Sequence, residues 1–264
     1  MSERTLSRRV LLQVALAGAS GMTASWSLTR AADRPPFKAV AFDPFTAFDT
    51  RSVDALAEQL FPGIGNKLCT AWRTRQFEYT WLRTLSRNYI DFWQVTGQAL
   101  DMAAKLVQVA LTSEKRDQLM QGYLAIKAWP EAAEALKRLK QAGLKLCFLS
   151  NATPGMLDTW VKNSRLDGLF EPHLSTDRVR AFKPDPRAYQ MGVDAFALSR
   201  NEILFAAFGA WDAAGAKAFG YPCFWVNRAG VPLEELGYKP DGVGTNLQDL
   251  EGFVAQYASV QSAL

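Results

Sequence analysis

KAVAFDPFTAFD, residues 38–49, decides the fold. An apolar run ends on Asp43, and Pro44 then turns the chain. A short run without polar alternation, closed by a turn, reads as a central strand of a parallel sheet, buried on both faces. In such sheets the reactive groups stand just beyond the carboxyl ends of strands, and Asp43 occupies that place. Taken alone, the carboxylate equally suits a turn cap. The other strand ends decide between the two readings.

Downstream, helical and strand patterns alternate. PEAAEALKRLKQAG carries Pro130 at its start and Gly143 at its end, as a helix does. It is followed by the buried run LKLCFLS, helix PGMLDTWVKN, the short run HLST, helix PRAYQMGVDAF, strand ILFAAF, helix DAAGAKAFG, strand CFWVN and a weak strand near Val243. This predicts an α/β fold with a doubly wound, mostly parallel sheet. Between residues 52 and 128 the pattern is helical only: VDALAEQLF, LCTAWRTRQFEYTWLRTL, FWQVTGQALDMAAKLVQVAL and EKRDQLMQGYLAI place apolar residues three and four apart. A helical cap of residues 52–128 is therefore expected to interrupt a core of 38–51 and 129–255. Its aromatic load, Trp72, Phe77, Tyr79, Trp81, Tyr89, Phe92 and Trp93, suits a pocket wall or a second subunit as well as a helical layer.

The 264 residues are 48% hydrophobic and 21% charged, an ordinary globular balance with length for one core plus an insert. Residues 1–31 differ. Arg8 and Arg9 precede a short apolar run, Val10 to Ala19, too short and too rich in Ala and Gly to span a bilayer. The segment reads as a twin-arginine export signal, with cleavage after Ala31 or nearby and Thr29 at minus three. That predicts a periplasmic protein with no stable membrane anchor after cleavage; an uncleaved, weakly apolar anchor is the alternative. Four of the 30 basic residues and only one of the 26 acidic ones lie in this segment, so the remainder is close to neutral and no nucleic-acid partner is expected.

Cys69, Cys147 and Cys223 are scattered and odd in number, which is no disulfide framework. His173 is the only histidine, so a multi-histidine metal site is excluded. A Ser-His-Asp hydrolase would need His173 as its base, and beside Pro172 that residue reads as structural.

Four strand ends carry polar residues that would meet at one sheet edge. Asp43 is the first. In LSNATP, Ser150 and Asn151 follow a strand, while Thr153 and Pro154 cap and start the next helix, whose free N–H groups suit an anion. In AFKPDPRAY, Lys183 precedes Pro184 and is held extended, able to lie against Asp43 and keep it ionised. In AAFGAWDAAGA, Asp212 follows Trp211 at a strand-to-helix junction. Singly each has a structural explanation; their order, each after a strand, points to one site.

With these residues the chain resembles the haloacid dehalogenase superfamily, and within it the L-2-haloacid dehalogenases. The superfamily motifs stand as Asp43 in AFDPF, Ser150 in FLSN, Lys183 in FKPD and Asp212 in AWD. WRTRQFEYTWLRTL, YIDFWQ and GAWDAAGAKAFGYPCFWVNR resemble the dehalogenases and not the superfamily's phosphatases. The likeness runs from about Lys38 to Val254.

The resemblance implies a metal-free hydrolase acting on carbon–halide bonds, with no cofactor. Phosphatases of the superfamily carry a second aspartate two positions after the nucleophile, where this chain has Phe45. Asp43 would attack the carbon bearing the halogen, inverting it and forming an ester that water then hydrolyses to a 2-hydroxy acid. By family position Arg73 would receive the halide with Asn151 assisting, and Ser150 would hold the substrate carboxylate. Lys183 would orient Asp43, and Asp212 would position Lys183 or the water. Phe45, Phe77, Phe92 and Trp211 would wall the alkyl part, and Tyr189 matches a family active-site position. A homodimer is implied too.

Three departures stand out. The nucleophile loop is one residue shorter than Asp-x-x-Gly-Thr, with Thr46 three positions after Asp43 and no glycine. Ala207 and Gly209 stand where well-known members carry Ser and Asn. Two other readings therefore stay open: a phosphatase-like member dependent on magnesium, and a non-catalytic protein that captures small carboxylates.

Overall fold

The computed structural model describes residues 37–262. The elements, in chain order, are β1 (Ala39–Phe42), β2 (Phe48–Asp49), α1 (Arg51–Leu60), α2 (Gly65–Leu85), α3 (Phe92–Leu106), α4 (Ser113–Leu124), β3 (Lys127–Ala128), α5 (Ala132–Gln141), β4 (Lys145–Ser150), α6 (Pro154–Ser164), β5 (His173–Ser175), α7 (Pro186–Phe196), β6 (Ile203–Ala207), α8 (Ala210–Phe219), β7 (Cys223–Val226), β8 (Gly242–Gly244) and α9 (Leu247–Ser262).

Six strands form one parallel sheet in the order β5-β4-β1-β6-β7-β8. The α/β doubly wound fold expected from the alternation is therefore present. β1 lies between β4 and β6, and all four of its residues are fully buried. Alternate side chains feed two cores: Val40, Phe42, Leu146, Phe148 and Leu204 join one, and Ala39, Ala41, Cys147, Leu149 and Phe205 the other. The first core contains α5 and α6 residues and continues into the cap; the second contains α7 and α8 residues. The chain leaves β1, builds one side of the sheet, and returns across β1 to build the other. Asp43 thus stands where the strand order reverses, the place where open α/β sheets bind ligands.

Local chemistry sets the element ends. Thr153 accepts a hydrogen bond from the Met156 N–H at 3.2 Å and Pro154 opens α6; Asp185 does the same for Arg187 at 2.9 Å, with Pro186 opening α7. Gly220, at φ +102°, closes α8 in the left-handed region that favours glycine.

Helices α1–α4 are the insert after β1. At its base, Phe48 and Asp49 pair antiparallel with Ala128 and Lys127. This two-residue ribbon has no pattern of its own in the sequence. Helix α9 is a further addition to the sequence reading, which ended at the strand near Val243; its Leu247 and Leu250 are fully buried, and Phe253 packs 5.2 Å from Phe224. Among the described residues no helix is long and apolar enough to cross a membrane. The export signal lies outside the described residues.

Candidate active site

Asp43 is both a turn cap and the centre of the site. Its Oδ1 accepts the Phe45 N–H at 2.8 Å, closing the turn Pro44–Thr46, and its Oδ2 receives Lys183 Nζ at 2.8 Å. The shortened loop is thus built as a single turn of 3-10 helix. The Thr46 hydroxyl donates to the Asp43 carbonyl at 2.7 Å, and Arg228 donates to the Thr46 carbonyl at 2.7 Å. Glycine is not required there.

Lys183 is fully buried and reaches two carboxylates: Asp43 and, at 2.6 Å, Asp212 Oδ2. Burial works against its charge, but the two carboxylates outweigh that and raise its pKa. Asp212 is also fully buried, and its other oxygen accepts the Tyr189 hydroxyl at 2.7 Å. Burial pushes the Asp212 carboxyl up to about 6; Lys183 and Tyr189 pull it down, while the charge of Asp43 adds to the rise. With both oxygens engaged, Asp212 is built to hold Lys183. Tyr189 lies behind Asp212, fully buried in the second core and away from the opening.

The β4 end completes the edge. Asn151 Oδ1 accepts the Lys183 backbone N–H at 2.9 Å, and its buried Nδ2 has no partner among the described residues. That free amide donor is suited to an anion. Ser150 Oγ accepts from the Ala152 N–H at 2.8 Å. His173, in β5, pairs with Asp158 at 2.9 Å, on a different strand end from Asp43.

Two residues on from Asp43, Phe45 lines a cavity of about 30 Å³ between cap and core, together with Trp72, Arg73, Phe77, Tyr123 and Phe208. Arg73 enters from α2, its guanidinium held by Asp54 at 3.0 Å. Trp211 packs 5.1 Å from Phe77 and 5.6 Å from Trp81, joining core to cap. Phe92 is placed differently from the wall expected of it: it is almost fully buried and packs 6.2 Å from Phe182, behind the lysine loop.

A profile of haloacid dehalogenase-like hydrolases matches residues 17–220. The chain belongs to this hydrolase family. It is 40% identical over 212 residues to the (S)-2-haloacid dehalogenase of Pseudomonas sp. (strain YL), covering 80% of this chain and 91% of that one. The crystal structure of an L-2-haloacid dehalogenase superposes with a TM-score of 0.82 at 41% identity, covering 84% of this chain and 100% of the other. The L-2-haloacid dehalogenase of Xanthobacter autotrophicus with chloropropionic acid covalently bound superposes at 0.76 with 32% identity, covering 83% and 98%.

In this haloacid dehalogenase-like hydrolase, the departure at Gly209 has a structural explanation. A Cβ there would come 2.7 Å from Trp211 Nε1, so the indole occupies the space of a side chain at 209. Magnesium is a poor match to the donors of this hydrolase. It prefers oxygen ligands in near-ideal octahedral geometry, whereas Phe45 replaces a carboxylate, both Asp212 oxygens are taken, and no three His, Cys, Asp or Glu side chains gather among the described residues.

Sequence reasoning missed Tyr123, Gln76 and Asp54. Gln76 donates to the Thr96 hydroxyl at 2.7 Å and to the Tyr123 hydroxyl at 3.2 Å, fixing a buried polar network in the cavity wall. On the helical pattern each of these residues was indistinguishable from an ordinary core or surface position.

The cysteines behave as read. All three are free and buried. Burial pushes the Cys69 thiol up to about 12, leaving it protonated and unreactive.

Proposed function

We propose that the chain hydrolyses short (S)-2-haloacids to (R)-2-hydroxy acids and halide, without a metal, through an ester on Asp43. The observation that carries this is Asp43 held by Lys183, with Phe45, two residues on, standing in place of a second carboxylate and lining a mainly apolar cavity that Arg73 also lines. An Asp43 oxygen forms a bond to the α-carbon as the carbon–halogen bond breaks, and the halide leaves with the electron pair. Arg73 and the free Nδ2 of Asn151 receive it. Water then attacks the carboxyl carbon of Asp43. The ester C–O bond breaks there, the alcohol leaves with the original Asp43 oxygen, and one proton is released to solvent.

Lys183 holds Asp43 by a 2.8 Å ion pair and supplies the counter-charge that a carboxylate needs when substrate displaces its water. The test is halide release by the purified chain from L- and D-2-chloropropionate in EDTA. Release from the L enantiomer alone is expected. Phosphate release from esters only on addition of magnesium, with no halide from any short haloacid, would replace this reading with the phosphatase one.

We place the protein in the periplasm, exported by the twin-arginine route, on the strength of Arg8 and Arg9 before the short apolar run. A homodimer is proposed through α2 and α3, which expose Leu82, Leu85 and Leu106; Leu82 also lines a groove of about 460 Å³ with Tyr79 and Met102. Leu85→Asp, at a position 82% exposed, is expected to halve the mass measured by light scattering and to leave the unfolding temperature of the monomer within a few degrees. An unchanged mass would move the interface elsewhere.

A further inference from the structure

The lysine loop is held from two sides. On the core side, Asn151 accepts the Lys183 N–H at 2.9 Å. On the cap side, one residue earlier, Thr84 Oγ1 accepts the Phe182 N–H at 3.0 Å. Thr84 is the penultimate residue of α2, and its hydroxyl hydrogen goes to the Thr80 carbonyl at 2.8 Å, so its lone pairs are turned to the loop. The contact does not stand alone. Phe182 is fully buried, with the Tyr89 ring 4.6 Å and the Phe92 ring 6.2 Å from it. The Tyr89 hydroxyl donates to Asp177, and the guanidinium of Arg180 lies 5.2 Å over the Tyr89 ring. Four polar or aromatic contacts from the end of α2 and the turn after it therefore converge on residues 177–182, immediately before the lysine that serves the nucleophile.

We propose that Thr84 is a positioning residue for Lys183: its hydroxyl pins the loop to the cap, so that only a docked cap holds the ammonium on Asp43 and Asp212. Opening the cap by rigid rotation would break the bond to the Phe182 N–H and uncover the Phe182 ring, so the loop would lose its cap-side hold and bury less apolar surface. Cap closure and arming of the nucleophile are then one event. Phe92, absent from the substrate wall, has its function here, as packing for the pinned loop.

The inference rests on the proposed hydrolysis for its kinetic arm only. The titratable groups facing Asp212 are Lys183 and Tyr189 from the loop and α7, Asp43 from the β1 end, and the Cys223 thiol from β7. A loosened Lys183 pulls the carboxyl down less, so the pKa of Asp212 should rise.

The test compares the full chain with Thr84→Val, which keeps the shape and loses the acceptor, and Thr84→Ser, which keeps the acceptor. For Thr84→Val, kcat for halide release should fall roughly 5- to 100-fold with a smaller change in KM. The acid limb of its pH profile should move upward from about 6. Thr84→Ser should restore both. Titration of the Asp212 carboxyl by carbon-13 NMR reads the same rise without substrate. If wild type released no halide, the hydrolysis reading would fail while this titration still decided the role of Thr84. A wild-type kcat and an unmoved titration in Thr84→Val, with or without a lower unfolding temperature, would reduce Thr84 to a structural contact and overturn the proposal.

Discussion

Asp43→Asn is expected to end halide release, by on the order of 10⁴-fold or more, while leaving the protein folded. The amide is a poor nucleophile, and no other carboxylate can replace it: Asp212 is fully buried with both oxygens engaged. The fold should survive because Asn keeps an acceptor for the Phe45 N–H, and Lys183 retains Asp212 as its counter-charge. Removing one of two carboxylates around one ammonium lowers the net buried charge, so stability should change by only about 1 kcal/mol. The mechanism adds an isotope signature. In a single turnover in ¹⁸O water, the label should enter Asp43 and not the 2-hydroxy acid, because water attacks the ester at its carboxyl carbon. Label in the product of that first turnover would mean direct attack of water on the substrate, with Asp43 as a base.

Lys183→Met carries the second large effect, on stability and activity together. Met matches the length and apolar stem of Lys, but it leaves two carboxylates facing each other in a closed space. Breaking a buried pair by removing one partner costs about 3–5 kcal/mol. The loss should depend on pH with a definite sign. Burial already raises the Asp212 carboxyl to about 6, and without Lys183 it should rise further. An acid whose pKa is raised on folding stabilises the fold below its unfolded pKa, and that contribution disappears as pH climbs through the folded value. The variant should therefore be least stable near pH 8, begin to recover as pH falls through the raised folded value, and recover fully below the unfolded carboxylate pKa. Urea unfolding at several pH values would read this. A deficit equal at every pH would show that the ionised Asp212 is not the source of the cost. Halide release should drop on the order of 10²- to 10³-fold, the loss of one preorganised charge at the reacting group.

How much of this was legible beforehand follows from the range of each interaction. Strand Ala39–Phe42 could be read because burial on both faces forces an unbroken apolar run. Asp43, Lys183 and Asp212 could be found because each follows a strand, and strand ends of one parallel sheet must meet at one edge. The single histidine excluded a multi-histidine metal site, and the chemistry at the site came from the resemblance. Phe92 was assigned to the substrate wall on resemblance, and the packing of Phe182 placed it behind the lysine loop instead. Helix α9 was missed because its apolar face is short, with Leu247, Leu250 and Phe253 anchoring it to a core whose other half lies far away in sequence.

By itself the sequence determined the class of fold and the edge of the sheet at which Asp43, Lys183 and Asp212 gather, because those follow from local patterning; their roles were implied by the resemblance. Tertiary structure alone decided which groups hold them. Tyr189 engages the second oxygen of Asp212, Thr84 binds the Phe182 N–H across 98 residues, Asp54 holds Arg73, and the Trp211 indole lies over Gly209. A hydroxyl or an indole carries no sign in sequence of the partner it will find. That partner is set by how the cap docks on the sheet, and docking is the sum of many weak apolar contacts.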